Sequence, residues 1–257
     1  MTAEWNPELI SDELVALTRS LGEPAKDLVI LAEGNTSQRL ADGRIAVKTS
    51  GSNMASATRA DFAAVAVEPL AALMDSPSAT QTDITRALDA GEHDGIHRRA
   101  SIETLVHVAV QAVQPAGFVA HTHPTAVVSL LASVHAATAF EESVYSEEAV
   151  MLGKPLFVPY AQPGIDLGRL FFSRLREYFA DNGVLPSLVL LGNHGIVAIS
   201  SSAQAAEAIS LMAVKGARVR VDAYAIGGVV GLKADLVARY FDRDDFAERR
   251  KHLAGTI

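Results

Sequence analysis

The sequence predicts an α/β fold in which helices and strands are mixed within a single domain over residues 1–257. Two observations indicate this class. Several segments carry apolar residues at helical spacing, which is typical of amphipathic helices. Between them lie short apolar runs bounded by Gly, Pro or Asn, as expected of buried strands. Because 49% of the 257 residues are hydrophobic, the chain can bury a sizeable core.

The predicted elements follow from these patterns in chain order. Ser11 is a weak capping signal for the first helix, and Asp42-Gly43 between two short β-like runs predicts a hairpin turn. The polar stretch 76–99 predicts an excursion or long loop. Helices are predicted over 8–21, 101–113, 124–134, 202–226 and 234–253, and strands over 117–121, 156–160, 187–191 and 195–199.

Composition excludes several classes of function. Lys and Arg number 22 against 30 Asp and Glu, and the net charge of −8 argues against general nucleic-acid binding. The absence of cysteine excludes disulfides, thiolate metal sites and cysteine nucleophiles. No segment is long and apolar enough to cross a membrane, and the acidic N-terminus does not resemble a signal peptide. The expected protein is soluble and cytoplasmic, with neither nucleic-acid nor membrane partners.

A His-x-His pair at the end of the apolar run GFVA is the sharpest chemical signal in the chain. Residues two apart on a strand face the same side, so His121 and His123 can chelate one metal ion. On spacing alone, a surface pair or a capped strand end is an equal alternative. His194, after a second apolar run, is a candidate third ligand, since three histidines with water or a carboxylate form an open, Lewis-acidic site.

Glu103 is the candidate carboxylate, in the first turn of the helix that Ser101 opens. It can act as a general acid/base or as a metal ligand, and stabilisation of the helix dipole is the alternative. His107 falls on the same helix face and is interpreted as a packing residue or as support for the site.

Two small polar loops, GNTS at 34–37 and TSGS at 49–52, have the composition of anion-binding loops. Each taken alone is also an ordinary turn. Lys48 can add a positive charge beside them. The candidate substrate or phosphate ligands are Asn35, Thr36, Lys48, Ser50, Gly51 and Ser101.

Together these motifs resemble the class II aldolase/adducin family, which includes fuculose- and rhamnulose-phosphate aldolases and ribulose-phosphate 4-epimerase. The order and approximate spacing of the motifs agree with the family. The amino-acid sequences of the motifs are most similar to those of the aldolase domain that is fused to a short-chain dehydrogenase in other proteins. The motifs are GNTS (34–37), VKTSGS (47–52), SIETLVH (101–107), HTHP (121–124), VPYAQPG (158–164) and NHG (193–195).

The resemblance implies a three-layer sandwich with a mostly antiparallel central sheet flanked by helices. It also implies a cyclic homotetramer with active sites between subunits. His121, His123 and His194 match the ligands of a divalent metal, usually zinc, with manganese, cobalt or iron as alternatives. Glu103 matches the catalytic acid/base, which can also ligate the metal in the resting state.

Two further assignments come from the resemblance. Tyr145 lies fifteen residues before Tyr160, a spacing similar to that of the aldolases' catalytic tyrosine, which acts across the subunit interface. A buried or rim aromatic is the alternative role for Tyr145. The phosphate-binding positions of the family are matched by Asn35, Ser50, Gly51 and Ser101.

The implied reaction is reversible retro-aldol cleavage of a sugar phosphate, such as a 1-phosphoketose of the fuculose or rhamnulose type, through a metal-stabilised enediolate. Ile102 stands where the family commonly has a second serine, and Lys48 resembles the epimerase loop. The substrate can therefore be a related acid. The alternatives are a sugar-phosphate 4-epimerase, a keto-acid phosphate decarboxylase on the same site, and a non-enzymatic scaffold like the adducin head.

Overall fold

The computed structural model of the chain describes residues 2–248. The helix predicted over 234–253 is present as a shorter helix at Ala234–Phe241, and residues 249–253 lie outside the described residues. The same holds for the ends of the domain predicted over 1–257, so the division into domains stays a prediction.

Eight strands form one sheet in the order β1-β4-β3-β2-β7-β10-β9-β8, and β5 and β6 form a separate hairpin. All neighbours in the large sheet are antiparallel except β8 and β9. The strands are β1 (Ala3–Glu4), β2 (Asn35–Arg39), β3 (Ile45–Lys48), β4 (Phe62–Val65), β5 (Asp89–His93), β6 (Ile96–Arg99), β7 (Phe118–Thr122), β8 (Leu156–Val158), β9 (Leu188–Leu191) and β10 (Gly195–Ser200).

Helices cover both faces of the large sheet. Helices α2, α4 and α7 pack on one face, and α1, α5, α6 and α8 pack on the other. The helices are α1 (Asp12–Leu21), α2 (Val67–Asp75), α3 (Gln81–Ala87), α4 (Thr104–Val113), α5 (Thr125–Leu131), α6 (Ser146–Leu152), α7 (Ile165–Asn182), α8 (Ala203–Ala225) and α9 (Ala234–Phe241).

The strand period of two divides the core into two layers. In β7 and β10, Val119 and Val197 join the core under α4 and α7, whereas their neighbours Ala120 and Ala198 join the core on the α1 and α8 side. The sequences of these strands contain continuous apolar runs because helices cover both faces of the sheet. The three-layer sandwich with a mostly antiparallel sheet is therefore confirmed.

The stretch 76–99 differs from the predicted long loop. It contains α3 and the β5–β6 hairpin. Thr80 caps α3 by accepting a hydrogen bond from the backbone of Asp83, and the Asp83 carboxylate bonds back to Thr80. The polar composition hid both elements, because α3 is short and β6 has no buried residue.

Helix α4 begins three residues later than predicted. Glu103 is its N-cap residue, since Ile102 and Glu103 form a turn in which the Thr104 backbone N–H donates to the Ser101 carbonyl at 2.9 Å. This turn brings both the Ser101 hydroxyl and the Glu103 carboxylate to the N-terminal end of α4. Among residues 2–248, no helix is long and apolar enough to cross a membrane.

A buried ion pair joins α8 to α6. Arg220 and Glu148 are 1% and 2% exposed, and their closest N–O distance is 2.5 Å. The guanidinium also donates to the carbonyls of Ala139 and Glu142, while the Val144 backbone N–H donates to Glu148. The pair therefore fixes the segment that leads into α6.

Replacing Arg220 by Met should lower the free energy of unfolding by about 3–5 kcal/mol, because the Glu148 carboxylate is then buried without its partner. Urea denaturation followed by circular dichroism measures the change. Arg174→Ala is the control, since Arg174 pairs with Glu177 at the surface of α7 and its loss should cost less than about 1 kcal/mol. Equal effects of the two substitutions would contradict a structural role for the buried pair.

Candidate active site

The candidate site lies at the end of β7, between β2 and β10. His121 is paired with Asn35 on one side and Val197 on the other. Residues opposite one another in an antiparallel ladder project to the same face, and here that face is the one covered by α4. His123 continues beyond the end of β7, and His194 stands in the turn before β10.

Four side chains converge here, and their ligand atoms all lie within 4.8 Å of one another: Glu103, His121, His123 and His194. His194 Nε2 lies 2.8 Å from Glu103 Oε1, and His121 Nε2 lies 3.3 Å from the same oxygen. The Nε2 atoms of His121 and His123 are 2.9 Å apart. The three histidines and the glutamate singled out from the sequence therefore meet, as the resemblance implied.

Hydrogen bonds prepare the imidazoles to bind a cation. His121 Nδ1 lies 2.8 Å from the Ile196 carbonyl, which can only accept, so Nδ1 carries the proton and Nε2 presents its lone pair to the cluster. His123 Nδ1 lies 3.6 Å from a carboxylate oxygen of Glu33, which favours the same tautomer. Both are the arrangements that orient histidine ligands in metal sites.

The donor set fits a divalent metal ion. Three imidazole nitrogens and one carboxylate oxygen suit zinc and neighbouring transition metals. Ligands at about 2.0–2.1 Å from a tetrahedral zinc are separated by about 3.4 Å. The 2.8–3.3 Å separations between Nε2 and oxygen or nitrogen atoms here are close to that value. The cluster can therefore hold such an ion without large rearrangement.

Close packing around the ligands requires a glycine at position 195. A Cβ atom there would lie 2.4 Å from the Thr122 carbonyl oxygen and 2.7 Å from the His123 ring. Any larger residue would push β10 away from β7. Gly195 thus allows His194 and His123 to approach each other, with their ring centroids 4.9 Å apart.

The Glu103 carboxylate is held by groups from β2. Asn35 Nδ2 donates to Glu103 Oε2 at 2.9 Å, while Oε1 faces the histidines. Burial disfavours the carboxylate, but His121 and His194 outweigh it and hold the pKa of Glu103 well below its usual range. Glu103 is thus a carboxylate with one oxygen toward the metal-binding side and the other fixed by an amide.

His107 supports Asn35 through a buried chain of hydrogen bonds. Burial and the nearby His121 lower the pKa of His107 to about 3, so the ring is neutral. Its Nε2 bonds Asn35 Oδ1 and its Nδ1 lies 2.7 Å from Ser37 Oγ. Because the amide oxygen only accepts, Nε2–H donates to Asn35 and the Ser37 hydroxyl donates to Nδ1. The sequence interpretation of His107 as support for the site agrees with this contact.

Of the two segments predicted as anion loops, 49–52 follows the end of β3, whereas 34–37 is not a loop but leads directly into strand β2. Ser101 Oγ lies 3.2 Å from Asn35 Nδ2, and Ser50 and Gly51 lie exposed at the nearby end of β3. Lys48 is 1% exposed, and its ammonium donates to the Ser52 carbonyl at 2.6 Å. Burial lowers the pKa of Lys48 to about 8.

Two predicted site residues are not brought to the cluster within the chain. The Thr36 hydroxyl lies 2.6 Å from Thr18 Oγ1 on α1, because alternation in β2 turns Thr36 away from Asn35. Tyr145 precedes α6, and its hydroxyl contacts the Met212 sulfur on α8 at 2.7 Å. Burial and the nearby Glu148 raise the pKa of Tyr145 to about 12.

A cavity of about 470 Å³ opens beside the histidines. His123 and His194 line one part of it, Ile30 and Val128 add apolar surface, and its lining includes the acidic residues Asp27 and Glu33. No sequence motif predicted this wall. Its residues belong to an irregular segment and to α5, and neither carries a motif that predicts a pocket.

A sequence model of the class II aldolase and adducin N-terminal domain family matches residues 12–221. The chain belongs to this family. A search of curated proteins found no match. Class II aldolases use a divalent metal, and among residues 2–248 the cluster of Glu103 with three histidines could bind one.

Solved structures with the same fold include proteins of several organisms. The class II aldolase domain from Thermoplasma acidophilum is 22% identical, with a TM-score of 0.61 over 82% of this chain and 92% of that one. L-fuculose-1-phosphate aldolase from Thermus thermophilus is 20% identical, with a TM-score of 0.59 over 85% and 99%. YgbL from Escherichia coli, a candidate aldolase, epimerase or decarboxylase, is 20% identical, with a TM-score of 0.65 over 89% and 95%.

Replacing His121 by Ala should abolish stoichiometric metal binding, because His121 lies at the centre of the cluster and its Nε2 faces two other ligands. Elemental analysis after zinc loading and gel filtration measures the metal content per chain. His135→Ala is the control, since His135 stacks on Tyr224 with ring centroids 4.1 Å apart and does not belong to the cluster. One zinc per chain in the His121 variant would reject the ligand assignment.

Proposed function

We propose that the protein is a metal-dependent class II aldolase that reversibly cleaves a sugar phosphate such as a 1-phosphoketose. The observation that carries this proposal is the convergence of Glu103 with the Nε2 atoms of three histidines, within 4.8 Å. The three histidines would hold one divalent cation, with Glu103 as a further ligand in the resting state, and the donor set favours zinc. When bound, that cation supplies positive charge that stabilises negative charge developing on substrate oxygens.

Glu103 would move the proton on the reacting carbon. The pKa of Glu103 lies well below its usual range, so the group is ionised, which is the form that a general base takes before it accepts a proton. Asn35, donating to Oε2 at 2.9 Å, orients it, and the His107–Ser37 hydrogen bonds orient Asn35 in turn. Such fixed positioning of the base is what proton abstraction next to a carbonyl requires.

Tyr145 would donate a proton to the aldehyde oxygen of the other fragment. Its pKa of about 12 keeps the hydroxyl protonated at neutral pH. Since the Tyr145 hydroxyl contacts Met212 of its own chain, we infer that the tyrosine of one subunit acts at the cluster of a neighbouring subunit within a homotetramer. The cytoplasmic location expected from the sequence stays a prediction.

A second candidate function is epimerisation or decarboxylation at the same site. The three reactions share the need to stabilise negative charge next to a carbonyl, and the fold is shared with YgbL, for which all three are candidate activities. A scaffold function like that of the adducin head is disfavoured, because such domains lose metal ligands whereas this chain retains the whole cluster.

Glu103→Gln should slow exchange of the carbon-bound proton of dihydroxyacetone phosphate by about 10²–10⁴-fold while the fold is retained. Exchange in deuterium oxide, followed by NMR, measures this step without a known aldehyde. Glu68→Gln, at an exposed position of α2, is the matched control and should leave exchange unchanged. Exchange at the wild-type rate in the Glu103 variant would remove Glu103 from the reaction.

Co-expression of Tyr145→Phe and Glu103→Gln chains should recover cleavage activity that neither variant shows alone, because mixed oligomers contain sites with an intact glutamate and a neighbour's intact tyrosine. A retro-aldol assay on phosphorylated ketoses, following release of dihydroxyacetone phosphate, measures recovery. Co-expression of Glu103→Gln with His121→Ala is the control, since both changes affect residues of one cluster. No recovery in any mixture would contradict the shared site.

A further inference from the structure

The end of β3 pairs with the segment that precedes Glu103. Thr49 is bridged to Ala100, with the Ser50 backbone N–H donating to the Arg99 carbonyl at 2.9 Å and the Ser101 N–H donating to the Lys48 carbonyl at 3.2 Å. This antiparallel register sets Ser50 opposite Arg99 and Lys48 opposite Ser101. All four side chains therefore start from one face of this short ladder.

Lys48 is not the cation of this face. Its side chain is 1% exposed, and the ammonium donates to the carbonyls of Ser52 at 2.6 Å and Thr49 at 3.3 Å. These contacts hold the 49–52 loop in place. Because the Lys48 ammonium donates to these carbonyl oxygens beneath the loop, it is not directed toward a ligand on the exposed side of the loop. An anion bound there would need another positive charge.

Because residue 102 is isoleucine and not the second serine common in the family, this face lacks one hydroxyl group. The Ile102 side chain packs against the core under α4, so it offers nothing to a ligand. Space is available instead, because a Cβ atom placed on Gly51 would meet no atom within 4 Å. Ser101 is 9% exposed, and its Oγ accepts from Asn35 Nδ2 at 3.2 Å and from the Glu103 N–H at 3.3 Å. The Ser101 hydroxyl hydrogen remains to be donated.

Arg99 lies opposite Ser50 in this register, and its side chain is exposed. The hairpin sets Asp89 opposite Arg99, but the Asp89 carboxylate accepts from the Gly91 N–H at 2.8 Å and lies 3.3 Å from His97 Nε2. Among residues 2–248, Arg99 forms no ion pair. Its neighbour Arg98 projects the other way, with its guanidinium 5.4 Å from the centre of the Trp5 ring.

We propose that Arg99 determines specificity by binding the phosphate of the substrate, together with the hydroxyls of Ser50 and Ser101. This inference rests on the proposed function, since it names the residue that selects a phosphate monoester for the same site. A guanidinium offers two parallel N–H donors to phosphate oxygens. With the two hydroxyls, it supplies donors to more than two oxygens, which favours a phosphate over a carboxylate. Arg99 thus replaces the hydroxyl that is missing at position 102.

Titration of the purified protein with inorganic phosphate, followed by isothermal calorimetry, tests this without any turnover. Arg99→Ala should weaken phosphate binding about tenfold or more. The phosphate affinity of Arg99→Lys should lie between those of the wild type and Arg99→Ala, because lysine keeps the charge but loses the paired donors. Arg98→Ala is the matched control, since it removes the same charge from the opposite face. Exposed Arg86→Ala on α3 provides a second control.

His121→Ala separates this site from direct binding of phosphate to a metal. The proposal predicts that phosphate still binds the His121 variant, and that adding Arg99→Ala abolishes this binding. Phosphate that binds Arg99→Ala as tightly as the wild type, or binds nowhere once His121 is replaced, overturns the proposal. Because the readout is binding, a failure of Glu103-dependent proton exchange would leave this result interpretable and would overturn the proposed function alone.

Discussion

The candidate site depends on the pairing of β7 with β2 on one side and β10 on the other. This ladder places His121 opposite Asn35 and directs its Nδ1 to the Ile196 carbonyl, so one set of backbone contacts fixes both a metal-binding nitrogen and the amide that holds Glu103. The strands lie in the middle of an eight-stranded sheet covered by helices on both faces. Movement at this point is opposed by packing of the whole core.

The surroundings of the site differ in charge from one end to the other. The cavity beside His123 and His194 is lined by Asp27 and Glu33, which disfavour a negatively charged group. On the other side, the proposed anion site presents Arg99 with serine hydroxyls. This asymmetry fits a substrate with a phosphate at one end and a neutral, hydroxylated chain at the other. The proposed anion binding is compatible with the net charge of −8, because the positive charge is local.

The Arg220–Glu148 pair links stability to the proposed intersubunit role of Tyr145. The pair holds the carbonyl of Glu142 and the N–H of Val144, the residue immediately before Tyr145. In the proposed role, Tyr145 donates a proton at the site of a neighbouring subunit, which requires a backbone held in a fixed position. A buried ion pair with satisfied hydrogen bonds supplies that rigidity at the cost of removing two charges from water.

The fold class, the Asp42-Gly43 hairpin and the main helices follow from local patterns, and the His-x-His spacing alone indicates that two imidazoles share a face. The meeting of Glu103, His121 and His194 comes from residues up to 91 positions apart, so only strand order and register bring them together. The tertiary structure also decides the positions of two predicted ligands. Strand alternation turns Thr36 toward α1, and Lys48 is buried beneath its loop. The role proposed for Arg99 has no local sequence signal, because its position opposite Ser50 is set by the bridge between Thr49 and Ala100. Local sequence determined which residues can do the chemistry, and tertiary pairing decided which of them meet, since side-chain direction depends on register.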